Sequence, residues 1–204
     1  MSTPTAQHSA PPVPLGMGLA DPGPLGLAGF AMTTFVLSCV NTGMLGASVE
    51  GVVLGLALFY GGIAQLLAGM WEFAKGNTFG AVAFGSFGPF WLSFWYLSSH
   101  TDLTKASAND VNHGIGVFLL AWTIFTGYMF IASFQTNGVI MAVFGLLFLT
   151  FLFLTIGKFG DSSGFTKVGG WLGLLTAVAA WYGSFAAVAN STAKRALFPV
   201  FPRA

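Results

Sequence analysis

The chain has 204 residues and only 13 charged side chains, seven Lys and Arg against six Asp and Glu, where a soluble domain of this length carries roughly 50. With 55% hydrophobic and 6% charged residues and a mean hydropathy of +0.78, it cannot cover a water-facing surface, and it is far too apolar to remain disordered. A net charge of +1 offers no basic footprint for nucleic acid, and one cysteine, Cys39, supports neither a disulfide framework nor a cysteine-rich metal site.

The first 24 residues hold six of the nine prolines and no Lys or Arg. A secretory signal needs a positive start followed by an apolar run. Residues 1–20 are therefore expected to form a flexible tail, residues 21–190 a transmembrane domain and residues 191–204 a C-terminal tail. A helix needs about 20 apolar residues to cross the hydrocarbon of a bilayer, and six charge-free stretches meet that length: Leu25 to Gly46, Gly51 to Trp71, Phe79 to Leu97, Gly114 to Ser133, Gly138 to Gly157 and Val168 to Val188. All charged residues and all three histidines fall outside them, as the cost of burying charge in lipid requires. The third stretch is the weakest, because Gly80, Gly85, Gly88 and Pro89 interrupt it. The pattern predicts an all-α integral membrane protein, a six-transmembrane-helix bundle with short connections. By the positive-inside rule, Lys75, Lys194, Arg195 and Arg203 outweigh Lys105, Lys158 and Lys167 and put both termini in the cytoplasm.

Residues three and four apart share a helix face, so small and polar stripes mark the bundle interior. In the first helix Phe30, Thr34, Leu37 and Asn41 align. The second carries Gly51, Gly55, Leu58, Gly62, Gln65, Gly69 and Glu72; its glycines suit close helix packing, while Gln65 needs either an interhelical partner or a polar pore. The third presents Gly80, Phe84, Phe87, Trp91 and Phe94, read as packing. In the fourth, Thr123, Thr126 and Ser133 are expected to bond to their own helix. The sixth aligns Gly170, Gly173, Ala177, Ala180, Ser184 and Ala187 for tight contact with a helix or subunit. No zinc-protease, Ser/His/Asp or phosphate-loop pattern occurs, so no enzyme, cofactor or metal is expected. No helix centre holds a carboxylate or histidine. Proton coupling would fall to boundary groups: Glu72, which continues the Gln65 stripe, and then Asp110 and His113, which read more simply as interfacial charges.

The string DPGPLGLAGFAMTTF at 21–35 and the block FYGGIAQLLAGMWEFAKGNTFGAVAFGSFGPFW at 59–91 resemble the acetate uptake transporter family, the succinate-acetate permeases. That family's signature reads Asn-Pro-Ala-Pro-Leu-Gly-Leu. Here Asp21 and Gly23 replace the Asn and Ala, while Pro22, Pro24, Leu25, Gly26 and Leu27 agree. The resemblance implies a pore in each protomer, a homo-oligomer that is a hexamer, and passage of acetate and in some members succinate or other short carboxylates. It also implies an apolar constriction at Phe30, Phe87 and Leu147, with Phe87 standing where the family has Tyr. Asp21, Pro22, Pro24, Leu25 and Gly26 would then lie at the cytoplasmic mouth, where Asp21 either repels an anion or caps the first helix.

A bare anion in an apolar neck must be met by amide and hydroxyl donors or cross with a proton. Thr34, Asn41 and Gln65 are the donor candidates for a small carboxylate substrate, with Glu72 as the proton-coupling candidate. Two alternatives stand beside this expectation: a neutral-solute channel for water, urea or ammonia, and a non-transporting membrane sensor. The expected setting is the lipid bilayer of the cell membrane, with no nucleic acid partner.

Overall fold

The computed structural model describes residues 18–203. The expected tail lies outside the described residues apart from 18–20. Six long helices follow in chain order: α1 Gly23–Asn41, α2 Val52–Lys75, α3 Thr78–His100, α4 Ala108–Ser133, α5 Gly138–Phe159 and α6 Ser163–Ala193. At about 1.5 Å per residue, even α1, with 19 residues, reaches across the hydrocarbon of a bilayer. Five of the six are long and apolar enough to span a membrane by themselves; α3 is the exception. It carries Pro89 in its interior, and polar and glycine residues lower its hydropathy. Its place is set by packing, with Phe84, Phe87, Phe90 and Trp91 all buried.

The helices begin and end where local chemistry dictates. Pro22 precedes α1, and its carbonyl accepts from Gly26 N. Gly76, at φ +79°, closes α2 in the left-handed conformation a glycine adopts without strain. The next residue, Asn77, caps α3 by accepting from Gly80 N at 3.2 Å. Ser107 and Asn137 do the same for α4 and α5. Several helices extend past the charge-free stretches: α2 holds Glu72 and Lys75, α4 holds Asp110 and His113 and α6 begins before Lys167, each by a turn or more, while α5 runs two residues further, through Lys158 to Phe159.

Around the bundle the order is α1, α6, α5, α4, α3 and α2, with α2 returning to α1. Two seams, α2–α3 and α1–α6, are close because glycines face them. A Cβ on Gly69 would collide with the backbone of Gly85, one on Gly88 with Leu66, and one on Gly173 with Ser38. This is the small-residue packing that joins helices where lipid removes the hydrophobic drive. The α3–α4 seam differs, since their backbones barely approach and aromatic rings bridge them: Phe90 to Phe118 at 5.9 Å, Phe90 to Trp122 at 5.1 Å and Phe87 to Phe125 at 5.3 Å between centroids. The outer surface carries Phe59, Leu67, Trp71, Ile124, Ile131, Trp171, Leu175 and Val178, all exposed. Such a belt belongs in lipid.

The α2 stripe departs from the single face expected of it. Gly51 and Gly55 point into open space, and the buried residues of the first half are Val53 and Ala57. The cause is a π-helical segment at Phe59–Ala64. Its wider turn inserts an offset between the two halves, so the buried face resumes at Gly61, Gly62, Gln65, Gly69 and Glu72. The α6 stripe holds through Ser184, with Gly170, Gly173, Ala177, Ala180 and Ser184 buried toward α1 and α5, while its last member, Ala187, is half-buried and Ala186 is buried instead.

Candidate functional site

A cavity of about 300 Å³ opens on the face opposite the chain termini and narrows inward between α1, α3, α4, α5 and α6. Its walls differ in character. On one side α1 contributes Thr34, Ser38 and Asn41, α5 contributes Thr150 and Lys158, and α6 contributes Thr166; on the other, Phe90, Phe94, Leu97, Phe118 and Leu119 from α3 and α4 form an apolar wall. The regular α1 face explains its share, because Phe30, Thr34, Leu37 and Asn41 all line the cavity as the helical spacing predicts.

The cavity ends among Phe30, Trp91, Leu147 and Phe151. Phe87 lies immediately beyond, only 2% exposed, its ring centroid 5.8 Å from Phe30 and 6.4 Å from Phe151. Phe144 and Phe79 continue the closure, 5.1 Å apart, toward the terminal face. The three constriction candidates therefore converge at one level: Phe30 and Leu147 at the floor, and Phe87 packed behind it by six aromatic neighbours, Phe30, Phe90, Trp122, Phe125, Phe144 and Phe151. The α3 aromatic stripe, read from the sequence as packing, is at the same time this floor and wall.

Of the donor candidates, Thr34 and Asn41 line the cavity and Gln65 does not. Gln65 is 1% exposed on α2, and its Oε1 finds no partner among the described residues. Two other buried polar atoms share that condition, Thr34 Oγ1 and Trp91 Nε1. Thr34 stands one turn from Phe30, Trp91 one turn from Phe87, and Gln65 one turn from Gly61, which faces Thr33 and Trp91. Three helices thus bring unsatisfied polar atoms to the level of the neck, where each forfeits roughly 1–3 kcal/mol in protein mutational terms. Thr123, Thr126 and Ser133 instead bond to their own helix carbonyls, as expected.

Glu72 sits at the other end of the bundle. It is 1% exposed, packs beside Gly23 and Gly80, and accepts a hydrogen bond from Asn77 Nδ2 at 2.8 Å. The Asp21 motif adjoins it. Asp21 Oδ1 accepts from Gly23 N at 3.1 Å and from Lys75 Nζ at 2.7 Å, so it tethers the first turn of α1 and is paired rather than a bare negative charge. Gly26 packs on Phe84, the Pro24 carbonyl accepts from Ser184 Oγ at 2.7 Å, and Leu25 faces outward. Asp110 donates its N–H to the capping Ser107 hydroxyl and accepts from it through its carboxylate, and His113 bonds to the Asn109 carbonyl, both exposed and away from the cavity.

Two charged lining residues escaped the sequence reading. Lys158 adds a basic group to the amide and hydroxyl donors expected there; only its place at the end of a span, one turn from Leu154, signals that it turns inward. Glu50 lines the same mouth from the loop before α2. Among the described residues no cluster of His, Cys, Asp and Glu could hold a metal.

Among the described residues, a bundle of membrane-length helices encloses a one-sided cavity that closes on an aromatic neck, an architecture suited to conducting a solute across a bilayer. The model of the GPR1/FUN34/yaaH family matches residues 3–203, and the chain belongs to that family. It is 37% identical over 182 residues to the succinate-acetate/proton symporter SatP of Escherichia coli, covering 89% of this chain and 95% of the relative. It is 41% identical over 195 residues to acetate permease A of Emericella nidulans, 89% of this chain and 65% of that protein. With ammonia transport outward protein 2 of Saccharomyces cerevisiae it shares 44% over 177 residues, 84% of this chain and 62% of that one. The chain spans just under two thirds of the length of such fungal relatives. Among solved structures, the bacterial acetate channel SatP superimposes with a TM-score of 0.81 at 37% identity, over 89% of this chain and 99% of that chain.

Proposed function

We propose that the chain is a membrane transporter or channel that moves acetate and other short carboxylates, succinate among them, through a pore within each protomer. The observation that carries this reading is the cavity that ends on Phe30 and Leu147 with Phe87 behind them. The names of the relatives from Escherichia coli and Emericella nidulans supply the solute class. Residues 21–190 would form the transport domain, with six crossings, α3 being held at depth by its neighbours rather than by its own hydropathy. Both termini would be cytoplasmic, so the cavity opens outward, and the protomers would assemble as a homo-oligomer, a hexamer by family resemblance.

In this reading a carboxylate enters the polar side of the cavity, where Asn41 and Thr34 can donate to its oxygens, and reaches the neck beside Gln65. The apolar ring of Phe30, Phe87 and Leu147 excludes water and large solutes, which sets a steep cost for a bare anion. Crossing with a proton lowers that cost. Glu72, a buried carboxylate at the cytoplasmic end, is the coupling candidate, and Asp21, Pro22, Pro24, Leu25 and Gly26 shape the mouth next to it.

The test is uptake of labelled acetate by liposomes holding the purified protein, with and without an inward proton gradient. Accumulation above equilibrium means symport; equilibration means a channel; no flux from the wild type overturns the transport reading in favour of a sensor. Phe30→Ala should admit larger solutes, and unchanged size exclusion sinks the neck assignment. The Saccharomyces cerevisiae relative named for ammonia transport favours one second reading, a neutral-solute pathway. Acetate flux that competing carboxylates do not inhibit would support it.

A further inference from the structure

The charges around the two ends of the bundle are unequal. At the terminal face Lys75, Lys194, Arg195 and Arg203 stand against Asp21 and Glu72, whereas the cavity face carries Glu50, Asp102, Asp110 and Asp161 against Lys105, Lys158 and Lys167. The face through which the cavity opens is therefore net negative. An anion approaching it meets a repulsive field, and the walls of the cavity decide whether that field continues inward.

Only two of these seven charges line the cavity, Glu50 and Lys158. Lys167 lies over the turn at Gly43 at the end of α1, and Lys105 is exposed on the α3–α4 connection. Lys158 stands in the last turn of α5, half-buried, on the same wall as Asn41, Thr150 and Thr166, and makes no ion pair among the described residues. Glu50 reaches the same mouth from the opposite end of the α1–α2 connection. A single ammonium in a cavity whose other wall is aromatic is screened less than one on an open surface, because low-dielectric walls focus the field.

We propose that Lys158 is the specificity-determining cation of the vestibule: it locally offsets the negative field of the cavity face, concentrates carboxylates above the neck, and Glu50 opposes it as the tuning charge. The proposal rests on the carboxylate-transport reading and adds to it the residue that selects for charge. Neck and donors then act on a solute that Lys158 has already collected. Lys158 is a positioning residue, so it governs capture and not the passage through Phe30, Phe87 and Leu147.

The experiment measures initial rates of acetate flux against concentration in liposomes containing wild type, Lys158→Gln, Lys158→Arg and Glu50→Gln, at low and high ionic strength. Lys158→Gln should raise KM roughly threefold, the size expected for one charge several ångströms away in a hydrated cavity, with the maximal rate unchanged. The difference should shrink as salt rises. Lys158→Arg should restore the wild-type KM, and Glu50→Gln should lower it. An unchanged KM in Lys158→Gln, or a fall in maximal rate alone that Arg does not rescue, overturns the proposal while leaving acetate transport intact. Absence of flux in the wild type overturns the transport reading and this proposal together. Should Lys158→Gln fail to assemble, Glu50→Gln decides: a lower, salt-sensitive KM supports the assignment and an unmoved KM rejects it.

Discussion

On the terminal face the helix ends are stapled by polar contacts, Asp21 to Lys75, Asn77 to Glu72 and Ser184 to Pro24, and the segment after α6 is strapped across by Asn190, Tyr182 and Gly138, which bond to the backbone of residues 197–201. On the opposite face the ends of α1, α3, α4 and α5 surround a cavity, and the α3–α4 seam is bridged by rings instead of backbone contact. Hydrogen bonds fix geometry at short range, whereas aromatic faces slide and re-stack at modest cost. The comparison teaches that one end of the molecule is tied shut and the other is open as a cavity; in the proposed reading the second end admits the solute, with the Phe30, Phe87 and Leu147 level dividing them.

The largest effect should come from removing the divider. Phe87→Ala deletes a ring that touches six others, and burial of that kind costs about 3–5 kcal/mol when lost. The melting temperature in detergent should fall sharply, and dye-sized solutes excluded by wild type should pass in a liposome release assay. Retained exclusion would mean that Phe144 and Phe79 below it form the true barrier.

Smaller are two glycine substitutions, Gly69 in the closed half of α2 and Gly51 at its cavity end. A side chain at Gly69 meets the Gly85 backbone, which cannot move aside cheaply, so Gly69→Val should destabilise by roughly 1–3 kcal/mol through overpacking. Gly51→Ala meets nothing within 4 Å and should be neutral or slightly stabilising. Equal thermal shifts for the two would contradict the π-segment offset that turns Gly51 outward. Next comes Asn77→Ala, which removes the α3 cap and the Glu72 donor together. A lost cap costs about 1 kcal/mol, and hydrogen exchange should report it as fraying of the first α3 turn alone.

The same two halves differ in how far the sequence disclosed them. Composition and span lengths foretold the membrane bundle, and the α1 spacing foretold the Thr34 and Asn41 wall, because an unbroken helix carries its period faithfully into space. Gln65 and Glu72 fell on a buried face for the same reason, yet the first turns of that stripe were misplaced, since nothing in FYGGIA distinguishes a π-helical turn from an α-helical one. Lys158 was missed for a different cause. A lysine at a span end reads as an interfacial charge, and its inward direction depends on the angular phase of α5, a helix apolar on nearly every side. The constriction came from resemblance, because Leu147 is one leucine among many.

The smallest expected effect lies at Asp21, and it tests whether the terminal face is closed by packing or by charge. Asp21 and Lys75 are 48% and 36% exposed, so their ion pair competes with water and salt, and such pairs contribute about 0–1 kcal/mol. Asp21→Asn keeps an Oδ1 acceptor for the Gly23 N–H and removes only the charge. The change in melting temperature should be under a degree or two and should vanish at high salt. A larger loss that persists in salt would show that the Lys75 tether, more than the Gly26 contact with Phe84 or the Ser184 bond to Pro24, fixes the first turn of α1. The closed half would then depend on one surface ion pair, and its contrast with the cavity face would be one of degree.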